Sequence, residues 1–284
     1  MIHIFLKHRA YLTLAVGFFI LTSVWAFETT ETRYNFVDAI SILTLTTIAL
    51  LTVFLLCRSF STLIHGKNKK ESNVKLSLRF FVIIETAIFL VISYLINSAT
   101  LFIMPVCFLV IMLYPALKFA PILRHYLFGL CIAIIPVYTW AAIWGKFNSI
   151  SDEFSYLPFI LGFIAMLWAS AIKIRHTDPT KNLKISKDAY FQHNFENPNL
   201  LINMNISIIL GMLFFITVIN GHTPVLWTGL TISLILLLIM SSSLQKSADM
   251  YGHAYFDNLS VLAIAAFVIN QVFDVVIDVF FLPN

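Results

Sequence analysis

The sequence predicts an all-α, polytopic membrane bundle of nine transmembrane helices with its N-terminus in the cytoplasm. Three observations carry that prediction: the composition, the spacing of the apolar stretches, and the distribution of basic residues. Of 284 residues, 60% are hydrophobic and 11% are charged, with 27 Phe. A soluble domain is roughly 45–50% apolar and about 25% charged. The mean hydropathy of +0.89 agrees with a chain that lives largely in lipid.

A spanning helix needs about 20 mostly apolar residues, and lipid leaves no option but to satisfy backbone groups within helices or a closed barrel. The first stretch, about 10–27, follows the basic segment "MIHIFLKHRA"; its apolar run is too long for a cleaved signal and lacks a small-residue cleavage site, so it reads as a retained span. The second covers about 36–57 and the third about 80–97. The fourth, about 99–115, is short and contains Pro105, which makes it the weakest of the set. The fifth (126–145) and sixth (156–173) precede a polar segment. The seventh (199–220) and eighth (224–242) are separated only by "NGHTP", and the last covers about 258–280.

Alternating these spans from a cytoplasmic N-terminus places all but Arg33 and Lys146 of the 18 basic residues on the cytoplasmic side. That is the excess cytoplasmic loops carry. An error of one span would scramble it. The formal net charge of +4 is thereby a matter of topology and calls for no nucleic-acid partner. No linker or low-complexity tract divides the chain, so residues 1–284 read as one integral-membrane domain in contact with the bilayer. Cys57, Cys107 and Cys131 all lie in or beside apolar runs; their scattering argues against a metal site or a disulfide framework, and they read as small buried hydrophobes. Two long basic segments, 58–79 and 173–199, fall on the cytoplasmic side. Their placement fits either a shared cap over one cavity or solvated loops touching anionic headgroups.

From Tyr114 the chain reads "YPALKFAPILRHYLFGLCIAIIPVYTWAAIWG". Together with "LWASA" (167–171) and "LQKSADMYGHAYFDNLSVLA" (244–263), this resembles the UbiA superfamily of intramembrane prenyltransferases, closest to the 4-hydroxybenzoate polyprenyltransferase type. The resemblance implies a UbiA-like bundle whose cavity takes a polyprenyl phosphate or diphosphate. It also implies transfer to an aromatic or cyclic acceptor, and aspartate-rich motifs that hold Mg²⁺ on the diphosphate. Lys118 matches the family's phosphate-facing lysine after Tyr114-Pro115, and Arg124 can supply the second basic charge that Phe119 does not.

The metal motifs themselves depart from the family. Where an Asn-Asp-x-x-Asp motif is expected, the chain has "CRSFSTLIHGK", with Arg58, Ser59 and Ser61 in place of Asn and the two Asp. In "KIRHTDPTKNLKIS" (173–186) the carboxylate that remains is Asp178, followed by Asn182 and Lys184, and Lys173 stands near the position of an upstream acid. Residues 58–79 and 173–187 hold two carboxylates, Glu71 and Asp178, against eleven Lys or Arg. Mg²⁺ needs oxygen ligands and such a site repels it; Asp178 is the one residue assigned to metal. The expected binding set is Tyr114, Lys118, Arg124, Arg58, Asp178, Asn182 and Lys184. Two readings follow: Lys and Arg take the phosphate oxygens directly, or the chain is a non-catalytic member that binds lipid or joins a biosynthetic membrane complex.

Outside these motifs, Glu85 is an intramembrane carboxylate, a costly feature that faces a cavity or a partner. Asp274 and Asp278 share a helix face at i, i+4 and read chiefly as markers of the outer interface. Asn203, Asn205, Ser207, Asn220, Asn270 and Gln271 suit hydrogen bonds between helices, at about 0.6 kcal/mol each. No HExxH, nucleophile elbow or glycine-rich nucleotide motif is present. A small-solute transporter is the competing class; no inverted repeat or paired broken helices support it. The absence of a transit-like N-terminus favours a bacterial inner membrane over an organelle.

Overall fold

The structure, a computed structural model, describes residues 9–29, 35–65, 72–116, 121–145, 156–176, 198–220, 224–244 and 250–281. Among them are nine helices: α1 (Arg9–Thr29), α2 (Phe36–His65), α3 (Ser72–Ile96), α4 (Ser98–Ala116), α5 (Pro121–Trp144), α6 (Leu157–Arg175), α7 (Pro198–Asn220), α8 (Pro224–Ser243) and α9 (Met250–Phe281). Seven contain a stretch long and apolar enough to cross a membrane. The apolar parts of α4 and α8, Ser98–Tyr114 and Trp227–Ser243, are shorter. The chain is thus an integral, multi-pass membrane protein.

The helices are longer at their polar ends than the apolar stretches suggest. Segment 58–79, expected as a loop, is helical up to His65 and again from Ser72. The reason is that hydropathy marks how much of a helix meets lipid, not where it stops. Between Arg58 and His65 there is no Gly or Pro to break it. Asn97 alone joins α3 to α4. Its backbone N–H bonds back to Ser93 O and its Oδ1 accepts the Thr100 N–H at 2.9 Å, so one residue ends one helix and caps the next. Its Nδ2 also donates to the Ala141 and Ala142 carbonyls of α5, both at 2.9 Å, which ties this turn to the far end of α5. There Gly145, at φ +67°, closes α5 with a bond to Ala141 O.

Helices α5 and α6 are the most buried of the bundle and pack along each other. Their crossing is tight because of Gly129: a Cβ there would lie 2.2 Å from Met166 O and 2.5 Å from Ser170 Oγ. Opposite, Gly162 sits against Ala133. The chain has few glycines, yet this small-residue contact is the kind that lets helix backbones approach in membranes. Helix α1 packs against α5, α6 and α9, while α2, α3 and α4 close one side of the pair and α7, α8 and α9 the other. Tyr11, Phe18, Phe89, Phe128, Tyr138 and Trp168 fill the centre. Phe and Leu side chains on the outer faces of α3, α4 and α9 are exposed, as lipid contact requires.

Candidate phosphate-binding end of the bundle

The start of α1, the end of α4, the start of α5, the end of α6 and the start of α9 meet at one end of the bundle, as antiparallel alternation dictates. Phe128 is the hub of this end. Its ring meets Tyr11 of α1 edge-on at 5.1 Å and Tyr114 of α4 at 6.3 Å. The Lys173 ammonium of α6 lies 5.3 Å from its centroid. One helical turn earlier, the Arg124 guanidinium lies 5.5 Å over the Tyr114 ring. Helical spacing explains the pairing: Arg124 and Phe128 are i, i+4 and share a face of α5. Two cations are therefore gathered at one end, each with its charge against an aromatic face.

Two further contacts cross this end. His176, just past α6, donates from Nε2 to Asp257 Oδ1 of α9 at 2.7 Å. Ser59 of α2 donates to Glu85 Oε1 of α3 at 3.1 Å, so the intramembrane carboxylate is met by a hydroxyl. Deeper in the bundle, Tyr126 donates to Asn205 Oδ1 at 2.9 Å, Asn205 Nδ2 donates to Leu167 O at 3.4 Å, and Ser241 donates to Asn203 Oδ1 at 2.7 Å. These asparagines do bond between helices. Asn270 instead donates to Ala266 O of its own helix, and Asp274 is buried.

Of the residues expected to bind ligand, Tyr114 and Arg124 are brought together at the hub, and Arg58 is exposed on α2. Lys118, Asp178, Asn182 and Lys184 lie outside the described residues, as do Glu71 and Phe119. Sequence reasoning missed Phe128, Tyr11 and Lys173 as members of one cluster. The signal for Phe128 was available in its i+4 spacing from Arg124, whereas Tyr11 joins through tertiary packing alone. The cysteines, far apart in the chain, are all free and buried where α2, α4 and α5 meet, with Cys57 against Cys131.

At this end the described charged side chains include Arg124, Lys173, Arg175 and Glu85, with Asp257 bonded to His176. Among the described residues no group of three or more His, Cys, Asp or Glu could hold a metal ion. An apolar groove of about 590 Å³ runs along α4, lined by Leu101, Met104, Pro105, Phe108, Leu109, Met112 and Leu113. It ends one residue short of Tyr114.

Fold and composition together define a multi-pass helical membrane protein of UbiA-like architecture. The chain is similar in structure to the apo structure of a UbiA homolog from Aeropyrum pernix K1, with a TM-score of 0.64 at 12% identity, over 90% of this chain and 97% of that one. At that identity the likeness concerns the fold. No protein-family model matches the chain. No curated protein matches it either.

Proposed function

We propose that this chain is a homologue of the UbiA-type prenyltransferases that binds a polyprenyl phosphate or diphosphate through basic side chains rather than through Mg²⁺. In this reading all nine helices span the membrane, the N-terminus and the Phe128 end face the cytoplasm, and the membrane is a bacterial inner membrane. The observation that carries the proposal is the pairing of Arg124 on Tyr114 with Lys173 beside Phe128 at one end of a UbiA-like bundle. Guanidinium and ammonium groups match phosphate oxygens without a metal. Aromatic faces hold such cations in place without neutralising them as a carboxylate would.

The groove along α4 supports the same reading. It covers 13 residues of helix, about 18 Å from first to last at 1.5 Å per residue, and leads an apolar tail toward Tyr114. Lys118, four residues beyond Tyr114, would join the phosphate site from the segment that follows. Prenyl transfer to an aromatic or cyclic acceptor requires the departing diphosphate to be neutralised, and here Arg124, Lys173 and Lys118 would supply that charge. The test is binding of a polyprenyl diphosphate to the purified chain with and without Mg²⁺. Metal-independent binding that falls in Arg124→Ala and in Lys118→Ala supports the proposal. Binding that requires Mg²⁺ refutes the metal-free site, and no binding at all refutes the lipid-phosphate reading in favour of a scaffolding role.

A further inference from the structure

Arg175, the last residue of α6, is 92% buried, with a relative exposure of only 8%. Its Nε and Nη2 are sealed from solvent and make no hydrogen bond. These two nitrogens form one edge of the guanidinium, the fork whose parallel N–H groups take two oxygens of a single anion. Of the described carboxylates at this end, Asp257 is bonded to His176 and Glu85 to Ser59. Burying a cation with no counter-charge is strongly unfavourable. Among the described residues none supplies that counter-charge, so the unbonded fork suits an anion.

The position is separate from the Phe128 hub. Two residues on a helix are about 200° apart, so Arg175 and Lys173 point to opposite sides of α6. Arg175 shares its side with Trp168, seven residues and almost two full turns earlier, which is fully buried and whose Nε1–H also lacks an acceptor. Lys173 faces α5, through Phe128. His176, turned about 100° from Arg175, reaches α9 through Asp257. A residue at the end of a membrane helix stands at headgroup depth, where the abundant oxyanion is phosphate.

We propose that Arg175 is a second anion site, which binds one phosphate group in a bidentate manner on the side of α6 facing away from Lys173. The phosphate comes from a lipid headgroup or from solution, and the same fork serves both. The proposal does not depend on polyprenyl binding at the hub and stands if that reading fails.

The test uses the full chain, stripped of endogenous lipid and reconstituted in phosphatidylcholine nanodiscs, with the apparent Tm as readout. One arm adds inorganic phosphate; the other replaces part of the phosphatidylcholine with phosphatidic acid. At about a hundredfold excess over Kd, the wild type should gain about 5 °C in at least one arm. Arg175→Leu should lose most of that gain in both arms, Arg175→Lys should keep little of it because an ammonium has no fork, and Arg79→Ala, exposed on α3, should respond like the wild type. A gain with phosphatidic acid alone assigns the phosphate to a headgroup, and a gain with inorganic phosphate shows that a free anion suffices. A wild type that responds in neither arm overturns the proposal, as does an Arg175→Leu response equal to the wild type's. The neutral lipid alone supplies an independent check. With neither phosphate source present, Arg175→Leu should melt no lower than the wild type, since it removes an uncompensated buried charge. A clear drop there would mean that the chain's own acids hold Arg175, and would also overturn the proposal.

Discussion

Replacing Gly129 by alanine tests the packing that positions both basic side chains of the hub. The added methyl would start 2.2 Å from the Met166 carbonyl oxygen, against the 3.3–3.6 Å at which a carbon and a carbonyl oxygen ordinarily rest. About 1 Å of separation is needed, and a backbone oxygen cannot rotate aside as a side chain can. Ser170 Oγ, 2.5 Å from the new carbon, would have to move as well. Its hydrogen bonds run to Met166 O at 2.6 Å and His125 O at 3.2 Å, and the longer of the two would be lost first. Overpacking of this kind costs about 1–3 kcal/mol, and a backbone clash belongs at the upper end. Alanine returns about 1 kcal/mol of helix propensity over glycine, leaving a net loss of about 2 kcal/mol. In a chain of this size that corresponds to a fall in Tm of about 3–4 °C. The assay is thermal unfolding in detergent beside Gly211→Ala, whose added methyl meets nothing within 4 Å on α7. The expected order is Gly129→Ala below wild type and Gly211→Ala at or above it. A Gly129→Ala protein as stable as the wild type would refute the claim that α5 and α6 are in backbone contact. Because Arg124 and Lys173 lie on these two helices near the crossing, the same variant should also weaken ligand binding at the hub.

The other predictions concern single contacts. Gly229→Ala places a methyl 2.2 Å from Asn270 Cβ and should lower the Tm in the same assay by an amount similar to Gly129→Ala, because α8 and α9 must part there. Asn97→Ala removes the cap on α4 and both bonds to the α5 carbonyls; a loss of about 1–3 kcal/mol is expected, read as unfolding in graded denaturant. Tyr138→Phe deletes a 2.8 Å bond that leaves the buried Ser93 hydroxyl with one partner fewer, for about 1–2 kcal/mol by the same measurement. Arg124→Ala should raise the Kd for polyprenyl diphosphate about tenfold or more, the loss of one charge-assisted contact, while leaving the Tm within a few degrees of wild type.

Much of the fold was legible in the sequence, because the bilayer allows so few solutions. Each apolar stretch became a helix, including the short fourth one, in which Pro105 sits without breaking α4. Boundaries were legible only where the chain carries a stop. Asn97 marks the α3–α4 turn and Gly145 the end of α5, but α2 and α3 run past their apolar windows into what looked like a loop. The candidate site was legible in part. Tyr114 and Arg124 stood out through their place in a family-like segment. Lys173 stands out in the sequence only as a loop-edge cation near the place of an acid the resemblance implies, not as a partner of Phe128, because periodicity on one helix says nothing about the neighbouring helix.

The amino-acid sequence by itself determined that this is a helical membrane protein, and that its two long polar segments carry many more cations than acids. Composition, apolar run length and charge count carry that information one residue at a time. Only the tertiary structure decided which of those cations meet. It set Lys173 beside Phe128 and Arg124 over Tyr114, and it turned Arg175 to the other side of the same helix with an empty fork. The physical reason is that a helix fixes the angle between its own side chains, while the neighbour that each side chain finds is fixed by how closely two helices approach, and here a single hydrogen at Gly129 sets that distance.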